Sequence, residues 1–273
     1  MTSQTAAKLE RLAAEGRPAL IGYLPVGFPS VEGSIEAAKT MVDAGVDIVE
    51  LGVPYSDPVM DGPVIQRATE VALKGGTRVR DAFTVIEAIG AHAPQVPVLL
   101  MSYYNPVLRY GVDAFARDLA AAGGAGLITP DLIPDEGGPW IEAAKTHDLD
   151  RVFLVAPSST PDRLALTAAA ARGFVYAASH MGVTGARDEI DLAARTLVDN
   201  TRAAGADHVC LGLGITTADH AAAVGAYADG VIVGSAFVNA LSVDADWASR
   251  LDALQAVAGH LADGVARARR KVL

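Results

Sequence analysis

Short apolar runs rich in Val, Ile and Leu alternate with longer Ala-rich stretches whose apolar positions recur at helical spacing, almost from end to end of the chain. The short runs predict strands over Leu20–Leu24, Asp47–Leu51, Val96–Met101, Gly126–Thr129, Arg151–Val155, Gly173–Ala177, His208–Leu211 and Gly230–Val233. Most are apolar at odd and even positions alike, the pattern of a parallel sheet covered on both faces. Between them helices are predicted over Ser34–Ala44, Val64–Lys74, Arg80–His92, Val112–Ala121, Gly138–Thr146, Pro161–Ala170, Ile190–Ala204 and Ala218–Val224, with Thr5–Glu15 and Asp246–Val272 at the two ends. Asp81 before Phe83 and Asp113 before Phe115 read as helix starts, and Gly75-Gly76 as a stop.

Eight strands in βα alternation, with no long linker or break in composition, predict an α/β protein: one (β/α)8 TIM barrel over residues 1–273 with an extra helix at each end. The length agrees, because such barrels run to roughly 250 residues. A doubly wound open sheet is the alternative. It is disfavoured by the strand count and by the lack of Gly-x-Gly-x-x-Gly after the first strand.

Composition narrows the function classes. Hydrophobic residues make up 51% of the chain, enough for a large core. The net charge is −10, and the densest basic stretch, Arg267-Ala268-Arg269-Arg270-Lys271, suits the end of a last helix. Nucleic acid is therefore a poor partner. The single cysteine, Cys210, allows no intrachain disulfide. No secretory apolar core opens the sequence and no uncharged run of about 20 apolar residues could span a bilayer. A soluble, cytoplasmic chain with no membrane contact is expected.

The densest chemistry lies in residues 50–63, Glu-Leu-Gly-Val-Pro-Tyr-Ser-Asp-Pro-Val-Met-Asp-Gly-Pro. Here an apolar strand ends in Glu50, and a Pro- and Gly-rich loop follows with Asp57 and Asp61. A carboxylate closing a buried strand is costly to desolvate unless it is partnered or used. In a parallel barrel that strand end is where catalysis is placed. The stretch reads as one acid/base group on a strand and a second acid held over it by a loop. The bland alternative is a glutamate that caps a helix or meets an arginine.

Three glycine-bearing segments follow the last three strands: Ser179–Ala186, Gly212-Leu213-Gly214-Ile215-Thr216 and Gly234-Ser235-Ala236. Glycine lets backbone N–H groups approach an oxyanion, and barrels commonly hold phosphate after strands seven and eight. Ser235 could add a hydroxyl donor at the start of a short helix. The six histidines never fall at metal-ligand spacing, so no metal site is expected. Tyr103-Tyr104-Asn105-Pro106 is core edge, binding loop or interface, and Tyr176 is a strand tyrosine whose hydroxyl needs a partner if it faces inward. The residues alone describe a barrel enzyme for a small phosphorylated substrate that works by proton transfer between carboxylates.

Glu50–Pro63, Tyr103–Pro106, Gly182-Val183-Thr184-Gly185, and Gly212–Gly214 with Gly234-Ser235 together resemble the signature region, third loop, mobile sixth loop and phosphate clamp of the tryptophan synthase α-subunit family. The resemblance covers essentially the whole chain. It implies a carbon–carbon lyase, the retro-aldol cleavage of indole-3-glycerol phosphate into indole and glyceraldehyde 3-phosphate. It makes Glu50 the proton shuttle and Asp61 the acceptor of the indole N–H. Tyr176 would line the active site, and Gly185, Gly214, Gly234 and Ser235 would hold the phosphate. Tyr23, Ile65, Met101, Ile128 and Leu213 would form the apolar slot, and Thr184 would swing in on the Met181–Glu189 loop to meet Asp61. The partner it implies is a β subunit carrying pyridoxal phosphate in an α2β2 complex, contacted through Asp57-Pro58 and Asn105-Pro106. Indole would pass to that subunit through a tunnel, and this chain would need no cofactor of its own.

Two departures from the family pattern stand out. The first-strand loop reads Leu24-Pro25-Val26-Gly27-Phe28-Pro29 where many relatives have Thr and Gly-Asp-Pro, and His180 occupies a variable position with no assigned role. Rival readings are another phosphosugar barrel, such as indole-glycerol phosphate synthase or phosphoribosylanthranilate isomerase, a free-standing lyase, or a catalytically silent allosteric partner of the β subunit.

Overall fold

Eight parallel strands pair in chain order and close on themselves: β1 (Ala19–Pro25), β2 (Ile48–Gly52), β3 (Val98–Met101), β4 (Gly126–Thr129), β5 (Asp150–Val155), β6 (Val175–Ala178), β7 (Val209–Gly212) and β8 (Gly230–Val233). The ring shuts where Ala19–Gly22 of β1 run alongside Gly230–Val233 of β8. The computed structural model describes residues 3–179, 187–212 and 214–268, of which 187–191 by backbone alone. The helices are α1 (Gln4–Ala14), α2 (Val31–Asp43), α3 (Pro63–Lys74), α4 (Val79–His92), α5 (Tyr104–Tyr110), α6 (Val112–Ala121), α7 (Gly138–Thr146), α8 (Pro161–Ala170), α9 (Arg187–Ala203), α10 (Ala218–Gly225), α11 (Ser235–Leu241) and α12 (Trp247–Arg267). The (β/α)8 barrel expected from the alternation is the fold.

Local chemistry sets the helix ends. Ser3, Ser30, Thr160, Thr217 and Asp246 each accept a backbone N–H of the first turn that no helical carbonyl can reach. Pro63 opens α3, where its missing N–H costs nothing, and Gly75-Gly76 ends it, Gly76 at φ +84°. Asp81 lies inside the first turn of α4 and accepts the Arg78 N–H at 2.7 Å, so that helix starts earlier than expected. Asp113 likewise sits one residue inside α6.

One helix lies outside the predicted set: Asn105 and Pro106, expected on a loop, fall in the first turn of α5, whose seven residues are too few for a periodic pattern to be seen. Ser235 opens α11, the short helix expected there. Pro106 is tolerated because the first-turn N–H groups have no intrahelical acceptor. The loop expected over Met181–Glu189 ends sooner, since Arg187–Glu189 belong to α9.

Strand parity divides the core in two. Leu20, Val49, Leu51, Leu100, Leu127, Phe153, Val209 and Val231 face outward and pack with the helices. Ile21, Ile48, Leu99, Ile128, Val152, Phe174, Cys210 and Ile232 face inward and fill the barrel, joined from its N-terminal end by Leu9 and Leu12 of α1. At that end Asp47 fastens β2 to β1, taking both guanidinium nitrogens of Arg17 at 2.7 and 2.9 Å and the Leu20 N–H at 3.0 Å. Among the described residues no helix is long and apolar enough to cross a membrane.

Candidate active site

The interior cluster fixes what stands above it. Two residues further along each strand, on the same face, come Tyr23 after Ile21, Glu50 after Ile48, Met101 after Leu99, Leu154 after Val152, Tyr176 after Phe174, Gly212 after Cys210 and Gly234 after Ile232. These seven, with Asp61 and Gly214 from the loops and Ile65 and Ser235 from the first turns of α3 and α11, line a cavity of about 600 Å³ at the C-terminal end of the barrel. That is the end where barrel enzymes do chemistry.

Glu50 lies in the middle of β2 rather than at its last residue, because pairing continues through Leu51 and Gly52 to β1 and β3. It is 1% exposed, and its Oε2 has no hydrogen-bond partner among the described residues. Burial, and after it the nearby charge of Asp61, pushes its pKa up to about 8. A carboxyl so held carries a proton near neutrality and can give and take it.

Asp61 stands on the loop between β2 and α3, half-buried. Desolvation raises its pKa, and a hydrogen bond from the Tyr103 hydroxyl pulls the other way. The same hydroxyl accepts the N–H groups of Val59 and Met60 at 3.1 and 2.9 Å. Tyr103 thus ties the whole Asp61 loop to the end of β3. Its ring packs on Tyr55 with centroids 5.2 Å apart, and Asn105 donates to the Tyr55 hydroxyl at 3.1 Å. The loop carrying Asp57-Pro58 and the helix turn carrying Asn105-Pro106, both named as partner contacts from the sequence, are therefore joined to each other.

Tyr23 and Tyr176 stand on β1 and β6, and each lies over a glycine of the next strand. A Cβ on Gly52 would sit 2.1 Å from the Tyr23 hydroxyl, and one on Gly212 would sit 2.5 Å from the Tyr176 hydroxyl. Burial, reinforced by the nearby carboxylates, raises both phenols well above their ordinary range, so both remain donors.

Of the residues assigned from the sequence, Glu50, Asp61, Tyr176, Tyr23, Ile65, Met101, Gly214, Gly234 and Ser235 meet around this one cavity. Ile128 is fully buried in the interior layer, register partner of the lining residue Met101, and is not itself among the described lining residues. Thr184, Gly185, His180 and Leu213 lie outside the described residues. The Leu24–Pro29 segment does not line the cavity; Gly27, at φ +82°, packs against Thr77 on the barrel's outer side. Leu154, Ile232, Ala178 and Ser179 line the cavity and were missed. Leu154 and Ile232 could have been found by counting inward parity back from Tyr176 and Gly234. Among the described residues no three His, Cys, Asp or Glu side chains gather to hold a metal.

Comparison with known proteins agrees with this arrangement. The family model described as tryptophan synthase alpha chain matches residues 9–266. The tryptophan synthase alpha chain of Mycobacterium marinum is 60% identical over 252 residues, 92% of this chain and 91% of the relative. That of Bifidobacterium longum is 54% identical over 272 residues, 98% and 93% of the two chains. A solved structure of Mycobacterium tuberculosis tryptophan synthase superposes with a TM-score of 0.89 at 55% identity, covering 97% of this chain and 99% of the other.

Proposed function

The chain belongs to the tryptophan synthase alpha chain family, and from that premise we propose that its cavity cleaves indole-3-glycerol phosphate to indole and glyceraldehyde 3-phosphate. The observation that carries this reading is Glu50, a buried carboxyl whose Oε2 has no partner among the described residues and whose pKa is pushed up to about 8, in one cavity with a second carboxylate.

Glu50, protonated, delivers its proton to indole C3. Positive charge then rises on the ring nitrogen, and Asp61, ionised, accepts the N–H hydrogen bond that strengthens as it does so. The Glu50 carboxylate next takes the proton of the C3′ hydroxyl. The O–H pair left on oxygen becomes the second bond of the aldehyde, the C3–C3′ pair returns to the ring, and aromatic indole leaves with its new C3 hydrogen. Glu50 ends protonated as it began. Opposite environments for the two acids make this division of labour workable: Glu50 is sealed, whereas Asp61 is partly open and hydrogen-bonded.

Backbone N–H groups around Gly214 and Gly234, with the Ser235 hydroxyl, are suited to the phosphate; Gly214 has φ +60°. Ile65, Met101, Leu154 and Ile232 offer an apolar bed for the flat indole. Thr184 and Gly185, from the sixth loop, complete the site in this reading. Indole would go to a β subunit that carries the pyridoxal phosphate, in an α2β2 assembly of the cytoplasm. That subunit would dock on Asp57-Pro58 and Asn105-Pro106, where Val59 and Leu108 expose 75% and 54% of their surface.

Indole release by the purified chain, alone and with its β subunit, tests the reading. A slow rate alone that rises with β supports lyase and partnership together, and a fast rate alone points to a free-standing lyase. Glu50→Gln should abolish release while leaving β binding intact. Retained release would overturn the mechanism.

A further inference from the structure

Tyr23 carries a phenolic hydroxyl that takes no part in the proton transfers above. We propose that this hydroxyl binds the middle hydroxyl of the substrate's glycerol chain, and so fixes the path of that chain between the phosphate cradle and Glu50. The inference rests on the lyase reading and deepens it.

The placement of the ring carries the argument. The root of the side chain lies against the phosphate end of the cavity: a Cβ on Gly234 would sit 3.1 Å from Tyr23 Cδ1 and 3.4 Å from its Cβ. The tip lies at the carboxylate end, over Gly52 on β2. Tyr23 and Glu50 are register partners on adjacent strands, and Gly52 is the next inward position above Glu50. The absent side chain at Gly52 leaves the space that the hydroxyl fills. The ring therefore spans the interval between the segment suited to phosphate and the carboxyl that acts at C3′.

A substrate anchored at both ends must lay its three-carbon chain along that ring. The carbon bearing phosphate meets Gly234, the reacting carbon meets Glu50, and the middle carbon falls beside the phenol. The Tyr23 hydroxyl makes no hydrogen bond to any described residue, and its ring lines the cavity that also holds Glu50 and Asp61. Remaining protonated beside two carboxylates, it is a donor waiting for an acceptor oxygen. A lining phenylalanine would serve the indole equally well; the hydroxyl serves only a polar substrate group.

The test pairs Tyr23→Phe with a substrate analogue in which hydrogen replaces the middle hydroxyl, both assayed with the β partner present. For indole-3-glycerol phosphate, kcat/KM should fall about tenfold in the variant, the worth of one hydrogen bond. For the deoxy analogue, wild type and variant should cleave at the same rate, because the partner group is already gone. An unchanged rate on the full substrate would overturn the inference. So would an equal loss on both substrates, since that marks a structural effect. A wild type that cleaves neither compound would instead overturn the lyase reading itself.

Discussion

The hydroxyl of Tyr103 donates to Asp61 Oδ1 at 3.3 Å while accepting the Val59 and Met60 N–H groups, so one side chain holds both the acid and the backbone that presents it. Tyr103→Phe removes the donor and strands two amides. Asp61 then loses the interaction that lowers its pKa, and burial acts alone to raise it. The expected result is a fall in kcat of roughly 5- to 10-fold, since each such bond is worth about 1 kcal/mol. The acid limb of the pH–rate profile should also move to higher pH. An unmoved limb would remove Tyr103 from the catalytic geometry.

Glu50 ties stability to pH in the opposite sense from an exposed acid. Its folded pKa of about 8 lies above the ordinary glutamate value of 4.5, so between those values the folded state holds a proton that the unfolded state has released. Stability conferred by the neutral carboxyl is complete below about pH 4.5 and drains away as pH rises towards 8. Glu50→Gln, neutral throughout, should therefore gain on the wild type by roughly 3–5 kcal/mol across that window, as the pKa difference requires. Urea unfolding at pH 5 and pH 8.5 measures it. A constant difference between the two proteins would mean that Glu50 ionises freely in the fold.

Much of this was legible in the sequence because a barrel writes itself in repeated strand–helix units, and parity on each strand then dictates what faces inward. Glu50 was legible as a carboxylate closing an apolar strand, Gly234 as a glycine following one, and Asp61 from the Pro- and Gly-rich loop that carries it; Tyr23 came only with the family resemblance. What stayed hidden depends on chain segments meeting in space. The Tyr103–Asp61 bond joins positions 42 apart, and the Asn105–Tyr55 bond joins positions 50 apart. No periodicity encodes either. Seven-residue α5 lacked the two full turns that make helical spacing visible, whereas the start of α11 at Ser235 follows from the glycine after β8.

Gly52 and Gly212 make room for the two tyrosines. With 2.1 Å between a Gly52 Cβ and the Tyr23 hydroxyl, and 2.6 and 2.7 Å to the ring carbons behind it, Gly52→Ala must drive the ring off its seat. The nearest atoms belong to a side chain whose root is fixed in β1, so the ring turns into the cavity and the barrel persists. The expected outcome is activity reduced at least 100-fold with a loss of stability of about 1–3 kcal/mol, the range for overpacking. Gly212→Ala should do the same through Tyr176. Relief should come from Tyr23→Ser in the Gly52→Ala background, read as recovered Tm without recovered kcat/KM. A double variant no more stable than Gly52→Ala would show that the clash lies elsewhere.

Asp47 belongs to the opposite end of the barrel, where residues serve stability rather than chemistry. It is 6% exposed and holds Arg17 through two hydrogen bonds, the Leu20 N–H through a third, and the Lys8 ammonium at 3.8 Å. Asp47→Ala leaves a backbone donor unmet and two cations without their counter-charge. The cost should be about 3 kcal/mol, as for other broken buried pairs. Lys8 is the worse stranded of the two, because burial already lowers its pKa and Asp47 is the carboxylate that most opposes this. Arg17 keeps Glu15 at 3.5 Å. Lys8→Met added to Asp47→Ala should therefore recover part of the loss, whereas Lys8→Met alone, which leaves Asp47 with Arg17, should cost less than Asp47→Ala. Urea midpoints of the four proteins close the cycle, and kcat of the folded fraction should be equal in all of them. Additive losses would mean that Lys8 and Asp47 do not feel each other, and that Arg17 alone answers the Asp47 charge.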